Sequence, residues 1–287
     1  MSTELGVGLL KSLHHAAGLT KSKWRDLLHK EATPTDHAKM QLALLHSNVC
    51  RVNPIGKGVH RPYRVFLQTK YHSGFVHCSE CVFKTAYSQM ETKPYCASMD
   101  LSITGPEREW LAYSLDQALG FDLVPPVVLR EVEPLGVGSV MAWVNQPLVI
   151  DWIKYNRYDY KEHPENPWLH KLAAFDFLTG QIDRHAANVI LDCHGRVYAI
   201  DNGYSFVKGD DRKNLKCNMG RALVGKKVHP YVQEFVKHID PYIVKDVMGT
   251  VDFHNDEVYG VIKRLNELKA LRVWSKDLGG KWVKKVV

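Results

Sequence analysis

Nowhere does this 287-residue chain hold the ~20 consecutive apolar residues that a membrane-spanning helix needs. Its opening "MSTELGVGLLKSLHHAAG" also lacks a charged start running into a continuous apolar core and a small-residue cleavage site. A soluble, unsecreted, cytoplasmic protein is the expectation. Cysteine is scarce: Cys50, Cys78, Cys81, Cys96, Cys193 and Cys217 are too few and too scattered for a disulfide scaffold, so reduced thiols are expected. Cys78 and Cys81 form a C-x-x-C pair, but a zinc knuckle wants a second tight pair. On a strand, moreover, the two would point to opposite faces. The 15 His are dispersed and contain no H-E-x-x-H or comparable ligand set. No internal repeat or low-complexity tract is present.

An apolar content of 45% is enough to bury a real core, in one large domain or in two parts sharing a cleft. The net charge of +7 favours acidic partners such as nucleotides, phospholipid headgroups or nucleic acid without choosing among them. Between Val207 and Lys227, seven Lys or Arg face two Asp, which a solvated loop or a substrate-facing segment would explain.

Residues 1–48 read as helical, around "KSKWRDLLHKEA" and "DHAKMQLALLHS", where Met40, Leu42, Leu44 and Leu45 fall within about one turn of each other, roughly as an amphipathic helix would place them. From about Asn53 the texture turns to glycine-punctuated, β-branched and aromatic stretches. Strands are expected at Tyr63 to Thr69 and Phe75 to Lys84, joined by a turn holding Ser73 and Gly74. A helix follows in "TGPEREWLAYSLDQALG". Thr104 and Glu107 form a capping box, Pro106 suits the first turn, and Gly120 ends it. Within it Asp116 reads as a solvated position. Strands return in "LVPPVVLREV" and "GSVMAWV", and beyond Asn145 the chain turns mostly helical.

One polar cluster interrupts that helical region: "FDFLTGQIDRHAANVILDCHGRVYAIDNGYSF". Buried polar groups cost free energy unless something satisfies them. Phosphoryl transfer needs a carboxylate beside the attacking hydroxyl and oxygen ligands for Mg²⁺, which is commonly held by one or two protein groups plus phosphate oxygens. Asp183, Asn188 and Asp201 suit that division. "NVILD" and "RVYAID" read as a hairpin about the turn "CHG", which would bring Asn188 and Asp201 to one end. Asp192 reads as a turn residue and Asp176 as a helix-packing one.

"DRHAAN" followed by "DNG" resembles the catalytic and metal-binding loops of the phosphatidylinositol 3- and 4-kinase-like superfamily, whose motifs read D-R-H-x-x-N and I-D-x-G. "FDFLTGQIDRH" and "IDNG" are also similar to the secretory-pathway protein kinases that phosphorylate casein-type substrates, although those carry an acidic residue where this chain has Asn188. Upstream, "CVFKTA" and "EREWLAYSLDQALGFDLVPPVVLREVEPLGVGSVMAWV" look like the bacterial members, with an R-E-x-x-A-Y helix matched by Arg108, Glu109, Ala112 and Tyr113. The matched blocks run from about Ile55 to Phe206, roughly half of the chain.

The resemblance implies an α+β, two-lobed protein-kinase-like fold. Residues 1–48 would be a helical extension, 49–145 a small β-rich N-lobe, and 146–287 a larger helical C-lobe. It implies an ATP- and Mg²⁺-dependent kinase. Asp183 would act on the acceptor hydroxyl, Asn188 and Asp201 would hold Mg²⁺, and Lys84 with Glu109 would position phosphates. Arg184 and His185 would support the loop, and His185 would also stabilise charge in transfer. Met141 to Asn145, including Val144, would face adenine. Gly56 and Gly58, flanking Lys57, offer backbone N–H groups to phosphate, although an ordinary hairpin turn explains them equally well. A Ser/Thr protein kinase is the leading reading, with an acidic protein acceptor meeting the basic segment 208–227. The rivals are a phosphoinositide kinase and a catalytically silent module that binds nucleotide or nucleic acid, for which charge alone speaks.

Overall fold

The computed structural model describes residues 36–56, 62–70, 76–86, 103–155, 160–208, 215, 217–253 and 255–275. The expected helix around "KSKWRDLLHKEA", the Ser73/Gly74 turn, Gly58, Cys96, Arg212, Lys213, Lys216 and the segment "GGKWVKKVV" lie outside them.

Helix α1 (Asp36–His46) buries Leu42 and Leu44 and packs against the sheet that follows. The carbonyls at its C-terminal end, which have no partner within the helix, accept hydrogen bonds from Arg130: Nη1 lies 3.0 Å from Leu44 O and 2.9 Å from Ser47 O. Five antiparallel strands form that sheet: β1 (Asn48–Pro54), β2 (Tyr63–Lys70), β3 (Val76–Thr85), β4 (Val127–Val132) and β5 (Gly136–Ala142), in the order β1-β2-β3-β5-β4. Only β1 escaped the sequence reading. It is a half-exposed edge strand with a bulge between Val49 and Arg51, so it carries no clean apolar alternation.

Period-two alternation divides the sheet between two cores. Val128, Val132, Val140 and Ala142 join Leu44, Val65, Leu67, Cys81 and Phe83 beneath α1, while Val127, Leu129 and Met141 join the core shared with the helices. Cys78 is exposed and Cys81 buried, on opposite faces as expected; burial pushes the Cys81 thiol up to about 12. At the β3–β5 contact Gly138 is obligatory, because a Cβ there would lie 2.1 Å from Lys84 O.

Helix α2 (Gly105–Leu119) begins with the expected capping box of Thr104 and Glu107 and ends on Gly120 at φ 75°. Asp116 corrects the sequence reading. It is fully buried rather than solvated, because α2 is covered on nearly every side. The turn at Gly120 brings Leu123 N back to its carboxylate, 2.9 Å from Oδ1. Burial pushes its pKa up to about 7, against the hydrogen bonds from Leu123, Val124 and Gln117.

The second half is mainly helical: α3 (Val149–Lys154), α4 (Pro167–Thr179), α5 (Asn218–Leu223), α6 (Pro230–Lys237), α7 (Pro241–Met248) and α8 (Asn255–Ala270), with a hairpin of β6 (Val189–Leu191) and β7 (Val197–Ala199). Asp240 and Pro241 split α6 from α7, Asp240 capping the second helix through Tyr242 N at 2.9 Å. Asp192 is the expected turn residue, accepting from His194 N and Arg196 N. Residues 143–147 connect the two halves. Trp143 N donates to Glu80 O of β3, and Pro147 O accepts from Leu191 N of the hairpin. The chain is thus α+β, a five-stranded antiparallel sheet with helices, as expected at that level. No helix among the described residues is long and apolar enough to cross a membrane.

Candidate functional site

Asn166 caps α4 through Trp168 N, and Gly180 ends it at φ 65°, where a Cβ would crowd the Arg264 guanidinium at 2.9 Å. The chain then turns into Gln181-Ile182-Asp183. Gln181 is buried and works in two directions: its Oε1 accepts from Ile182 N and Asp183 N at 2.9 Å each, while its Nε2 donates to Asp201 O at 3.3 Å. One amide therefore ties the Asp183 loop to the Asp201 loop. The sequence reading passed over Gln181, and its place inside an otherwise apolar run before Asp183 was the available signal.

Arg184 is fully buried and performs the same joining on a larger scale. Its Nε donates to Asp176 at 3.0 and 3.3 Å, and Nη1 donates to Asn188 O at 2.9 Å and to Ile200 O. Nη2 meets the Asn202 side chain, whose own Nδ2 donates to Ala199 O at 3.2 Å. The helix end, the loop and both strands of the hairpin converge on one guanidinium. Asp176 is helical and packed, as expected, but it is also the counter-charge; burial pushes its carboxyl up, opposed by Arg184 and by the Cys217 thiol.

A 3₁₀ turn at Ala186–Asn188 places Asn188, whose Nδ2 donates to Asp183 O at 3.1 Å. Asp183 is partly exposed, and its Oδ2 lies 3.8 Å from His185 Nε2. Ile200 N donates to Asn188 O at 3.1 Å, and the chain then enters the left-handed region at Asp201, φ 59°. Few non-glycine residues adopt that conformation, but Asp is among those that tolerate it.

From the sheet, Lys84 Nζ donates to Asp201 Oδ1 at 2.8 Å and to Glu109 Oε1 of α2. Burial pulls the ammonium pKa down, but the Asp201 and Glu109 carboxylates outweigh it and hold it above the ordinary lysine value. Glu109 Oε2 is buried and has no hydrogen-bond partner among the described residues. The neighbouring Arg108, also fully buried, fastens α2 to the chain beyond Asp201. Its Nη1 donates to Ser205 O at 2.6 Å and Phe206 O at 3.0 Å, and its guanidinium lies 5.5 Å from the Phe253 ring centre.

Two groups of expected residues are therefore brought together: Lys84, Glu109 and Asp201 by direct contact, and Asp183, Arg184, His185 and Asn188 on one loop bonded to the Asp201 hairpin. Met141 lies on β5 opposite Val82, two positions before Lys84 and hence on the same face, and Val144 is half-buried in the connector. Gly56 is exposed at φ 54° beyond β1, where Ile55 N donates to Pro62 O at 2.8 Å. Of the basic segment, Lys208, Arg221, Lys226 and Lys227 are among the described residues. No three His, Cys, Asp or Glu side chains among the described residues form a metal-holding group by themselves.

No family model matches the chain. A curated relative, Protein Rv2133c of Mycobacterium tuberculosis, is 27% identical over 152 residues, which is 43% of this chain and 52% of that protein. The chain spans about half the length of the curated relative it matches.

Proposed function

We propose that the chain is an ATP- and Mg²⁺-dependent phosphotransferase of the phosphatidylinositol 3-/4-kinase-like type, with the sheet half as N-lobe and the helical half as C-lobe, acting on Ser or Thr of a protein. The observation that carries this reading is the Lys84 ammonium held between Glu109 and Asp201, beside a loop presenting Asp183 and Asn188. The donor set suits a hard divalent cation: Asp201 offers carboxylate oxygen, and Asn188 spends its NH₂ on Asp183 O, leaving its carbonyl oxygen for a ligand. One ammonium against two carboxylates leaves the junction one negative charge in excess, which a cation would offset. Bound Mg²⁺ and ATP supply the phosphoryl group and the counter-charge.

The chain's own residues do the rest. Lys84 donates to phosphate oxygens, oriented by Glu109, while α2 is fixed in place by Arg108. Asp183, partly exposed beside His185, accepts the proton of the acceptor hydroxyl, a role worth about 10²- to 10⁴-fold in rate. Arg184 and Gln181 hold both loops in register and touch no reacting atom. Val82 and Met141 offer apolar contact to the adenine ring. The cations that follow Asp201 favour an anionic acceptor, acidic protein first and phosphoinositide headgroup second.

Purified protein and Asp201→Ala, each given Mg²⁺ and γ-labelled ATP with an acidic protein, a basic protein or phosphoinositide vesicles, test this. Label on protein with wild type only is expected. Label in lipid would move the function to a phosphoinositide kinase, and no transfer to any acceptor by a protein that ATP still stabilises against heat would refute phosphotransfer.

A further inference from the structure

Apart from the Lys84 junction, a cavity of about 490 Å³ opens between the loop before α4, the start of α6 and the segment after α8. None of the residues proposed above to bind ATP or Mg²⁺ or to accept the proton lines it, and Lys227, the last cation of the basic segment, is the one residue shared with that reading. Its frame is rigid. Gly225 N donates to Trp274 O at 2.8 Å, Trp274 N to Lys226 O at 2.9 Å and Val228 N to Arg272 O at 2.9 Å, so residues 225–228 and 272–274 form a short antiparallel ladder. Behind the ladder, buried His170 accepts from Trp274 Nε1 at 2.8 Å and from His229 N at 3.1 Å, both on Nδ1. Its proton therefore sits on Nε2, which faces Pro164 O at 2.8 Å.

Cations outnumber anions at the mouth. Lys227 and Arg272 both line the cavity, and among the described residues neither has a carboxylate partner. Arg272 spends Nη1 on the carbonyls of Lys269 and Leu271, at 3.4 and 3.2 Å. The positive end of α6 opens on the same space at Pro230. Glu165 is the acidic lining residue, and it lies 3.5 Å from His163 Nδ1. Val228, Pro230 and Val273 supply apolar wall, and the volume is that of a small-ligand site.

We propose that this cavity binds a phosphomonoester with a small apolar body. Lys227 and Arg272 pair with the phosphate, and Val228, Pro230 and Val273 take the body. Calorimetric titration of the full chain with phenyl phosphate, inorganic phosphate and phenol tests it. Phenyl phosphate is expected to bind wild type and Asp201→Ala alike, inorganic phosphate more weakly, and phenol not at all. Lys227→Ala/Arg272→Ala should lose at least about tenfold in affinity, the worth of one charged contact. If that double variant melts early, Val273→Glu decides instead, since it sets a carboxylate at an exposed position of the same mouth. No heat at millimolar phenyl phosphate, affinity unchanged in these variants, or binding lost in Asp201→Ala would each overturn the proposal.

Discussion

Arg184→Met removes five hydrogen bonds from the interior, strips the Asp176 carboxylate of its counter-charge and takes the guanidinium donor from the carbonyls of Asn188 and Ile200. Breaking a fully buried ion pair from one side costs about 3–5 kcal/mol. At about 2–4 °C per kcal/mol for a chain of this size, the melting temperature should fall by roughly 6–20 °C. The loss should also depend on pH. Asp176 is already pushed up by burial, and deleting its counter-charge raises it further. A carboxyl whose folded pKa exceeds its unfolded value of about 4 contributes stability at low pH that is lost as pH rises through the folded value. Urea unfolding followed by circular dichroism should therefore show a larger deficit at pH 8 than at pH 5. Asp176→Leu combined with Arg184→Met should cost less than Arg184→Met alone, since a buried pair replaced by apolar groups of similar volume is often neutral. A single-variant loss below about 1 kcal/mol, or one independent of pH, would refute the view that this guanidinium holds the two loops together.

Asp116→Asn should stabilise the protein at pH 8 and flatten its stability profile between pH 4 and 7. Its folded pKa of about 7 lies above the unfolded value, a difference worth roughly 4 kcal/mol; parallel profiles for variant and wild type would contradict this. Gly138→Ala drives a Cβ to 2.1 Å from Lys84 O, where backbone cannot yield, so it should cost at least about 1–3 kcal/mol. A melting curve matching wild type would mean that the two strands separate without penalty there.

Local signals were the legible ones. The capping box at Thr104 and Glu107, the hairpin around "CHG" and the strand ending in Lys84 each follow from neighbouring residues, and each is present. Asp116, Gln181 and Arg108 show what such signals omit. A helix that reads as amphipathic gives no sign that other elements will cover its polar side as well, so Asp116 passed for a surface residue. Gln181 and Arg108 each also bond to a carbonyl far along the chain, 20 and 97 residues away, at a distance that periodicity cannot span. Helix α5 carries no local signal for a related reason: six residues are too few for a periodic pattern, and its cap is a cysteine, Cys217, whose Sγ accepts from Gly220 N at 3.2 Å.

The Lys84 junction also has a chronology. Lys84 and Glu109 are 25 residues apart, whereas Asp201 lies 117 residues from Lys84. Contacts of such unequal separation close at unequal loop-entropy cost, so the ammonium and the first carboxylate can meet early as a neutral pair. The unbalanced negative charge arrives only with Asp201, once the second half of the chain has docked. A fragment ending before the hairpin accordingly lacks the second carboxylate, and the excess negative charge of the junction belongs only to a chain that includes both halves.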